Sequence, residues 1–265
     1  MAYPLTALIS DLHGNVPALE VALEDARSRG VERFACLGDV VGYGAEPRPC
    51  LDVVMSLCVA EPEGEGLAGG FCLRGNHEQA LLDGPEGFNP KARAAIEWTR
   101  DELLADPARS DDYWDFLDGL PETVSDEIAM FAHGSPRDPV REYMVPRDAR
   151  DPEKLAANFA VMKRGVCFVG HSHVPAIYYS DGRLFRPRGT EGPFDLGDLE
   201  ETPCIVNIGS VGQPRDGDPR LSYVLFDGSN VTFVRLDYPF DVAADRIRGV
   251  EALPEFLAER LALGK

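Results

Sequence analysis

The sequence predicts an α/β fold, and three observations predict it. Short apolar runs alternate with stretches of helical period through the first half of the chain. The second half is richer in strands and carries two hairpin signatures. Third, 265 residues with 44% hydrophobic content can bury roughly 70–75% of the unfolded surface, enough for a layered core.

In chain order, Leu5–Ser10 reads as a strand and Val16–Arg29 as a helix with Leu19, Leu23 and Ala26 on one face. Arg33–Leu37 is a second strand. Pro47–Cys58 is a helix with proline in its first turn, where the missing N–H costs nothing. A Gly/Glu-rich loop, Glu61–Gly70, leads to a third strand at Phe71–Arg74. Two helices follow, Pro90–Leu104 and Ser110–Leu120, expected as a rim or partial cap over residues 90–120 or, on their Tyr113, Trp114 and Phe116, as core. Ile128–Ala132 is a strand; Asp151 caps a helix through Arg164; Val166–Val169 is a strand. Ala176–Phe185 turns as a hairpin at Asp181-Gly182. Cys204–Ile208, Leu221–Phe226 and Val231–Leu236 complete the strands, the last two joined across Asp227–Asn230. Short helices close the chain, with Leu253, Phe256, Leu257 and Leu261 on one face. Without repeats or a linker composition, residues 1–265 read as a single domain. The loops Gly134–Arg150 and Pro187–Pro203 are long enough to be lids.

Composition excludes several classes. With 26 basic and 45 acidic residues the net charge is −19, and no segment concentrates cations, so stable nucleic-acid binding is not expected. No apolar run approaches the ~20 residues of a membrane span, and Leu5–Ile9 is too short for a signal core. None of the six cysteines forms a Cys-x-x-Cys pair, which fits reduced thiols in a cytoplasmic protein.

Chemistry concentrates where the apolar runs stop. All five histidines, 13, 77, 133, 171 and 173, fall at or just beyond the ends of expected strands, and all but His173 stand beside Gly or Asn. Asp11, Asp39 and Asn76 occupy the same kind of position. In an α/β sheet the carboxyl ends of parallel strands share one edge, so these side chains meet there. Asp11/His13 and His171/His173 are i, i+2 pairs, which extended backbone directs to one face. Aspartate, histidine and asparagine together suit Mn, Fe, Zn, Ni or Mg rather than a thiolate site.

In order, DLHGN (11–15), GD (38–39), GNHE (75–78), HG (133–134) and GHSH (170–173) resemble the five signature motifs of the calcineurin-like metallophosphoesterases. The segment NIGSVGQPRDGDPR (207–220) is similar to the tail of small bacterial members of the phosphodiesterase type. The resemblance implies a four-layer sandwich, two mixed β-sheets flanked by helices. It implies two divalent metal ions, manganese first among the candidates, one held by Asp11, His13, Asp39 and His173 and the other by Asp39, Asn76, His133 and His171. It further implies hydrolysis of a small phosphoester, in a metabolite or nucleotide, through in-line attack by a hydroxide between the ions. His77 resembles the catalytic histidine that protonates the leaving oxygen.

Arg74 in LRGNHE resembles a phosphate-gripping arginine of the protein-phosphatase branch; as residues alone, it reads equally as a strand-end arginine in solvent or in an ion pair. Arg215 and Asn15 are weaker candidates for contact with the site. Where the protein-phosphatase branch carries GDxxDRG, this chain reads GDVVGYG (38–44). Gly42 therefore replaces the carboxylate that orients the histidine, which argues against a phosphoprotein phosphatase. A dinucleoside polyphosphate hydrolase or phosphomonoesterase is the enzymatic alternative, and a non-catalytic scaffold on the same fold is the alternative of another class. Nothing in the sequence sets the oligomeric state.

Overall fold

A computed structural model describes residues 3–58 and 69–265. Twelve strands are found there: β1 (Thr6–Ile9), β2 (Arg33–Cys36), β3 (Phe71–Cys72), β4 (Thr123–Ser125), β5 (Ala129–Ala132), β6 (Val166–Val169), β7 (Ala176–Tyr179), β8 (Leu184–Phe185), β9 (Glu191–Asp195), β10 (Cys204–Asn207), β11 (Leu221–Phe226) and β12 (Asn230–Leu236). The helices are α1 (Val16–Ser28), α2 (Pro47–Cys58), α3 (Asn76–Asp83), α4 (Pro90–Leu104), α5 (Ser110–Gly119), α6 (Pro152–Phe159), α7 (Phe240–Arg248) and α8 (Phe256–Glu259).

The strands form two six-stranded mixed sheets, β3-β2-β1-β11-β12-β9 and β4-β5-β6-β10-β7-β8. Each contains a parallel trio: β1, β2 and β3 in the first, β5, β6 and β10 in the second. A buried cluster including Leu8, Ala35 and Phe226 of the first sheet and Phe131, Phe168 and Val206 of the second joins their inner faces. On the outer face of the first sheet, α1, α2, α4, α5 and α7 bury Leu19, Leu51, Ile96, Leu117 and Ile247. On the outer face of the second, Leu155 of α6 packs with Met130 and Tyr178. Burying both faces explains why the central strands are apolar at nearly every position. The result is the four-layer α/β sandwich.

Several expectations shift in detail. Of the two readings left open for residues 90–120, the aromatics follow the core one: Tyr113 is 1% exposed, and Trp114 and Phe116 pack against the same core. The Pro187–Pro203 stretch is no lid, because β9 pairs with β12 at the sheet edge. Phe256 is 41% exposed, while Leu253, Leu257 and Leu261 point inward as expected. Asp151 does cap α6, accepting from Lys154 N–H at 3.0 Å, but the helix ends at Phe159. Asp181-Gly182 and Asp227–Asn230 turn both hairpins as expected. The expected loop Glu61–Gly70 lies outside the described residues up to position 68. All six cysteines are free thiols.

Candidate metal centre

The two parallel trios deliver their carboxyl ends to one place. Asp11 and His13 follow β1, Asp39 follows β2, Asn76 opens α3 just beyond β3, His133 follows β5, and His171 and His173 follow β6. All but Asn76 are at most 3% exposed. They gather as two sets sharing one member: Asp11, His13, Asp39 and His173 offer ligand atoms within 4.8 Å of one another, as do Asp39, His133 and His171. Asn76 Oδ1 joins the second set at 3.1 Å from His133 Nε2. The Asp39 carboxylate lies between the sets, its Oδ2 3.4 Å from His133 Nε2 and 3.8 Å from His13 Nε2.

Each of these four imidazoles points one ring nitrogen at a backbone carbonyl. His13 Nδ1 meets the Val41 oxygen at 3.1 Å, His133 Nδ1 the Leu37 oxygen at 2.8 Å, His171 Nε2 the Arg141 oxygen at 3.1 Å, and His173 Nδ1 the Gln213 oxygen. A carbonyl only accepts, so that nitrogen carries the proton and the other turns toward the centre. There His13 Nε2 faces His173 Nε2 at 3.3 Å, and His133 Nε2 faces His171 Nδ1 at 3.1 Å. Burial above all holds His13, His171 and His173 below the ordinary imidazole value, which keeps their inward nitrogens free to donate lone pairs. His133 behaves oppositely: burial lowers it, but Asp39 overrides and raises it to about 10. Asp11 Oδ1 is buried, accepts no hydrogen bond, and lies 3.1 Å from His173 Nε2. Converging lone pairs and an orphaned carboxylate oxygen fit a pair of divalent cations.

The backbone is bent to achieve this. Asp11, His13, Asp39, His171 and His173 all have φ between 49° and 61°, the left-handed region. Each such residue costs of order 1–3 kcal/mol unless its surroundings over-determine it. The i, i+2 pairs are thus not extended, correcting the expectation from strand geometry. Asp11 and His13 share one set, but successive turns send His171 and His173 to different sets.

Glu78 ties the turns together. Its carboxylate accepts from the N–H groups of Gly75, Asp39 and Val40, each at 2.8 Å. Burial, then repulsion from Asp39, pushes this carboxyl up to about 7, against the pull of those donors. Its role was legible only as the fourth letter of GNHE.

His77 stands beside the centre. Its backbone N–H donates to Asp39 Oδ1 at 2.9 Å, and its Nε2 lies 3.9 Å from Asp39 Oδ2. Its Nδ1 is buried without a partner. The ring is held edge-on by Tyr43 at 4.5 Å, His13 at 4.7 Å and Phe88 at 5.2 Å between centroids. Gly42, at φ 84°, provides the space: a Cβ there would overlap His77 Nδ1. Aromatic packing thus occupies the place of an orienting carboxylate. Burial pulls the imidazole down to about 4, and Asp39 works the other way.

Arg74 is not brought to the cluster. Its Nη2 donates to the Asp118 carbonyl at 2.5 Å and its N–H to the Pro121 carbonyl, so it ties β3 to the end of α5. Asn15 caps α1 through Ala18 N–H and donates to the Gly212 carbonyl. A cavity of about 330 Å³ opens beside the second set, lined among others by Tyr43, Asn76, Phe88, Arg141, Tyr143 and His171. Tyr143 stacks on His171 at 3.7 Å, so the loop Gly134–Arg150 does reach the site.

A sequence profile described as a calcineurin-like phosphoesterase superfamily domain matches residues 5–230. An uncharacterized protein of Methanocaldococcus jannaschii is 34% identical over 276 residues, spanning 100% of both chains. A metallophosphoesterase from Sphaerobacter thermophilus superposes with a TM-score of 0.79 at 34% identity, covering 99% of this chain and 100% of that one. A hypothetical protein from Pyrococcus horikoshii OT3 gives a TM-score of 0.74 at 21% identity over 98% of each chain, a likeness of fold.

Proposed function

The chain belongs to the calcineurin-like phosphoesterase superfamily, and from that premise we propose that it is a dinuclear metal-dependent phosphodiesterase acting on a small phosphorylated metabolite or nucleotide. The observation that carries the reading is the four imidazoles whose N–H groups are spent on carbonyls and whose remaining nitrogens converge around Asp39. Asp11, His13, Asp39 and His173 would hold one ion, and Asp39, Asn76, His133 and His171 the other. When bound, two divalent ions supply positive charge for the phosphoryl oxygens and acidify a water for attack at phosphorus.

The chain's own residues do the rest. Asp39 stands between both sets and would moderate the repulsion between two like charges held there. The carbonyls of Val41, Leu37, Arg141 and Gln213 fix the ring orientations before substrate arrives. His77 holds a proton at Nε2 for the departing oxygen. The negative charge of a bound phosphoester favours the protonated ring that burial alone disfavours. The cavity beside Tyr143 and Phe88 receives the substrate's organic part.

Two features support a diester over the alternatives. Arg74 donates to the Asp118 carbonyl instead of facing the centre, so the phosphate grip implied by its resemblance to the protein-phosphatase arginine is missing there. Gly42 and Tyr43 stand where a protein phosphatase places Asp and Arg. The intact set around His77 supports an enzyme rather than a scaffold. Manganese is our first choice of metal, the cytoplasm our choice of compartment on six free thiols, and no helix among the described residues is long and apolar enough to cross a membrane. The test is elemental analysis of manganese-reconstituted protein together with turnover of bis(4-nitrophenyl) phosphate and 4-nitrophenyl phosphate. Two ions per chain with preference for the diester are expected; no bound ion, or an inert loaded protein, overturns the reading.

A further inference from the structure

Two guanidinium groups converge beside the centre with no Asp or Glu side chain of the described residues to pair them. Arg215 lies in the loop after β10; its N–H donates to the His173 carbonyl at 3.2 Å, fixing it to a residue of the metal centre. Its Nη2 donates to Gln213 Oε1 at 2.8 Å, and its Nε is buried without a partner. Arg260 arrives from the end of α8, its Nε donating to the Lys265 carbonyl oxygen. Both guanidiniums sit over the Tyr43 ring, at 5.6 and 5.7 Å from its centroid. That ring is also the neighbour of His77 and His13.

In a chain with net charge −19, Arg48, Arg109, Arg235 and Arg246 each find a carboxylate, whereas Arg215 and Arg260, against one and the same ring, meet no Asp or Glu side chain among the described residues. Holding two cations together over one aromatic ring is costly. Burial, and after it the repulsion of Arg215, pulls Arg260 down to about 10, still charged at neutral pH. An anion between them relieves that cost through paired charge-assisted hydrogen bonds. A charge count says which anion. Asp11 and Asp39 would offset half the charge of two dications, and the remainder would meet a hydroxide and the single negative charge of a phosphodiester. The arginines are therefore surplus to the scissile group.

We propose that Arg215 and Arg260 form a subsite for a second phosphoryl group, so that the substrate carries one phosphoester at the metal centre and a further phosphate beside Tyr43. This rests on the phosphodiesterase reading and narrows it to doubly phosphorylated compounds.

The direct test titrates inorganic pyrophosphate into the chelated full-length protein by calorimetry, with malonate as the carboxylate control. Pyrophosphate should bind more tightly than malonate, and Arg260→Gln should weaken it about tenfold or more, with Arg260→Lys intermediate. Absence of pyrophosphate binding, equal binding of malonate, or equal affinity in Arg260→Gln overturns the proposal.

A kinetic arm compares the 4-nitrophenyl ester of thymidine 5′-phosphate with the same ester bearing a 3′-phosphate. The wild-type ratio of kcat/KM should favour the second compound about tenfold and should collapse through KM in Arg260→Gln. Turnover of both esters at one unchanged ratio overturns the subsite alone. Failure to turn over either ester counts against the phosphodiesterase reading, and the pyrophosphate titration still decides the subsite.

Discussion

At the carboxyl ends of β1, β2, β5 and β6, each charged or imidazole side chain that faces the centre is fixed twice. A left-handed or tightly turned backbone fixes it once, and a hydrogen bond to a carbonyl or amide fixes it again. Along the loop 134–150 the arrangement is looser. Tyr143 is 46% exposed, and the Arg141 side chain is tethered by one bond, from its Nε to Gln79 Oε1. On the function proposed above, the first region suits ions held at fixed positions, and the second suits a substrate that must enter and leave. Rigidity and adaptability are thus divided between strand ends and a surface loop.

The largest effect is expected at the most constrained atom. Asp39→Asn removes the charge shared by both sets, and turnover should fall by about three orders of magnitude with ion content dropping below two per chain. Full metal content and near-normal rates would dissolve the contrast between the two regions. Next, Gly42→Ala forces a methyl group against His77 Nδ1 at a left-handed position. Turnover of the diester should fall roughly 10–100-fold while both ions remain bound, at a stability cost of about 1–2 kcal/mol; metal analysis beside a thermal melt separates the two effects.

The loop supplies a smaller, pH-dependent effect. Glu142 accepts from Ser135, Arg137 and Asn158, and despite the opposing effect of burial those donors hold its carboxyl at about 2, below the ordinary 4.5. A depressed carboxyl contributes stability fully above its unfolded value and loses it as pH falls through the folded one. The loop anchor should therefore weaken between about pH 4.5 and 2, and Glu142→Gln should flatten the melting temperature across that window. The smallest effect is expected at Arg74. Because it binds the end of α5, Arg74→Met should alter kcat/KM by less than about threefold. A hundredfold loss would return it to the site.

The ligand cluster was legible because its residue types are rare and fall where apolar runs end. The sheet trios were legible because doubly buried strands leave continuous apolar text. What the letters do not carry is direction. Arg74 and Arg215 look alike in sequence, yet one turns to Asp118 and the other to Gln213 beside the centre. Arg260 gives no local signal at all, since only the docking of α8 on α7 brings it to Tyr43. The start of α3 was hidden because GNHE, a turn by composition, places Asn76 and His77 on its first turn. Edge strand β9 was hidden by Gly192 and Pro193 within it.

The Glu78 carboxylate has a consequence for the life of the empty protein. Its donors are all main-chain amides, so the two turns it clasps keep their spacing whether or not ions are present. Chelation should then silence the enzyme without loosening it, and fresh manganese should restore activity at the pace of diffusion rather than of refolding.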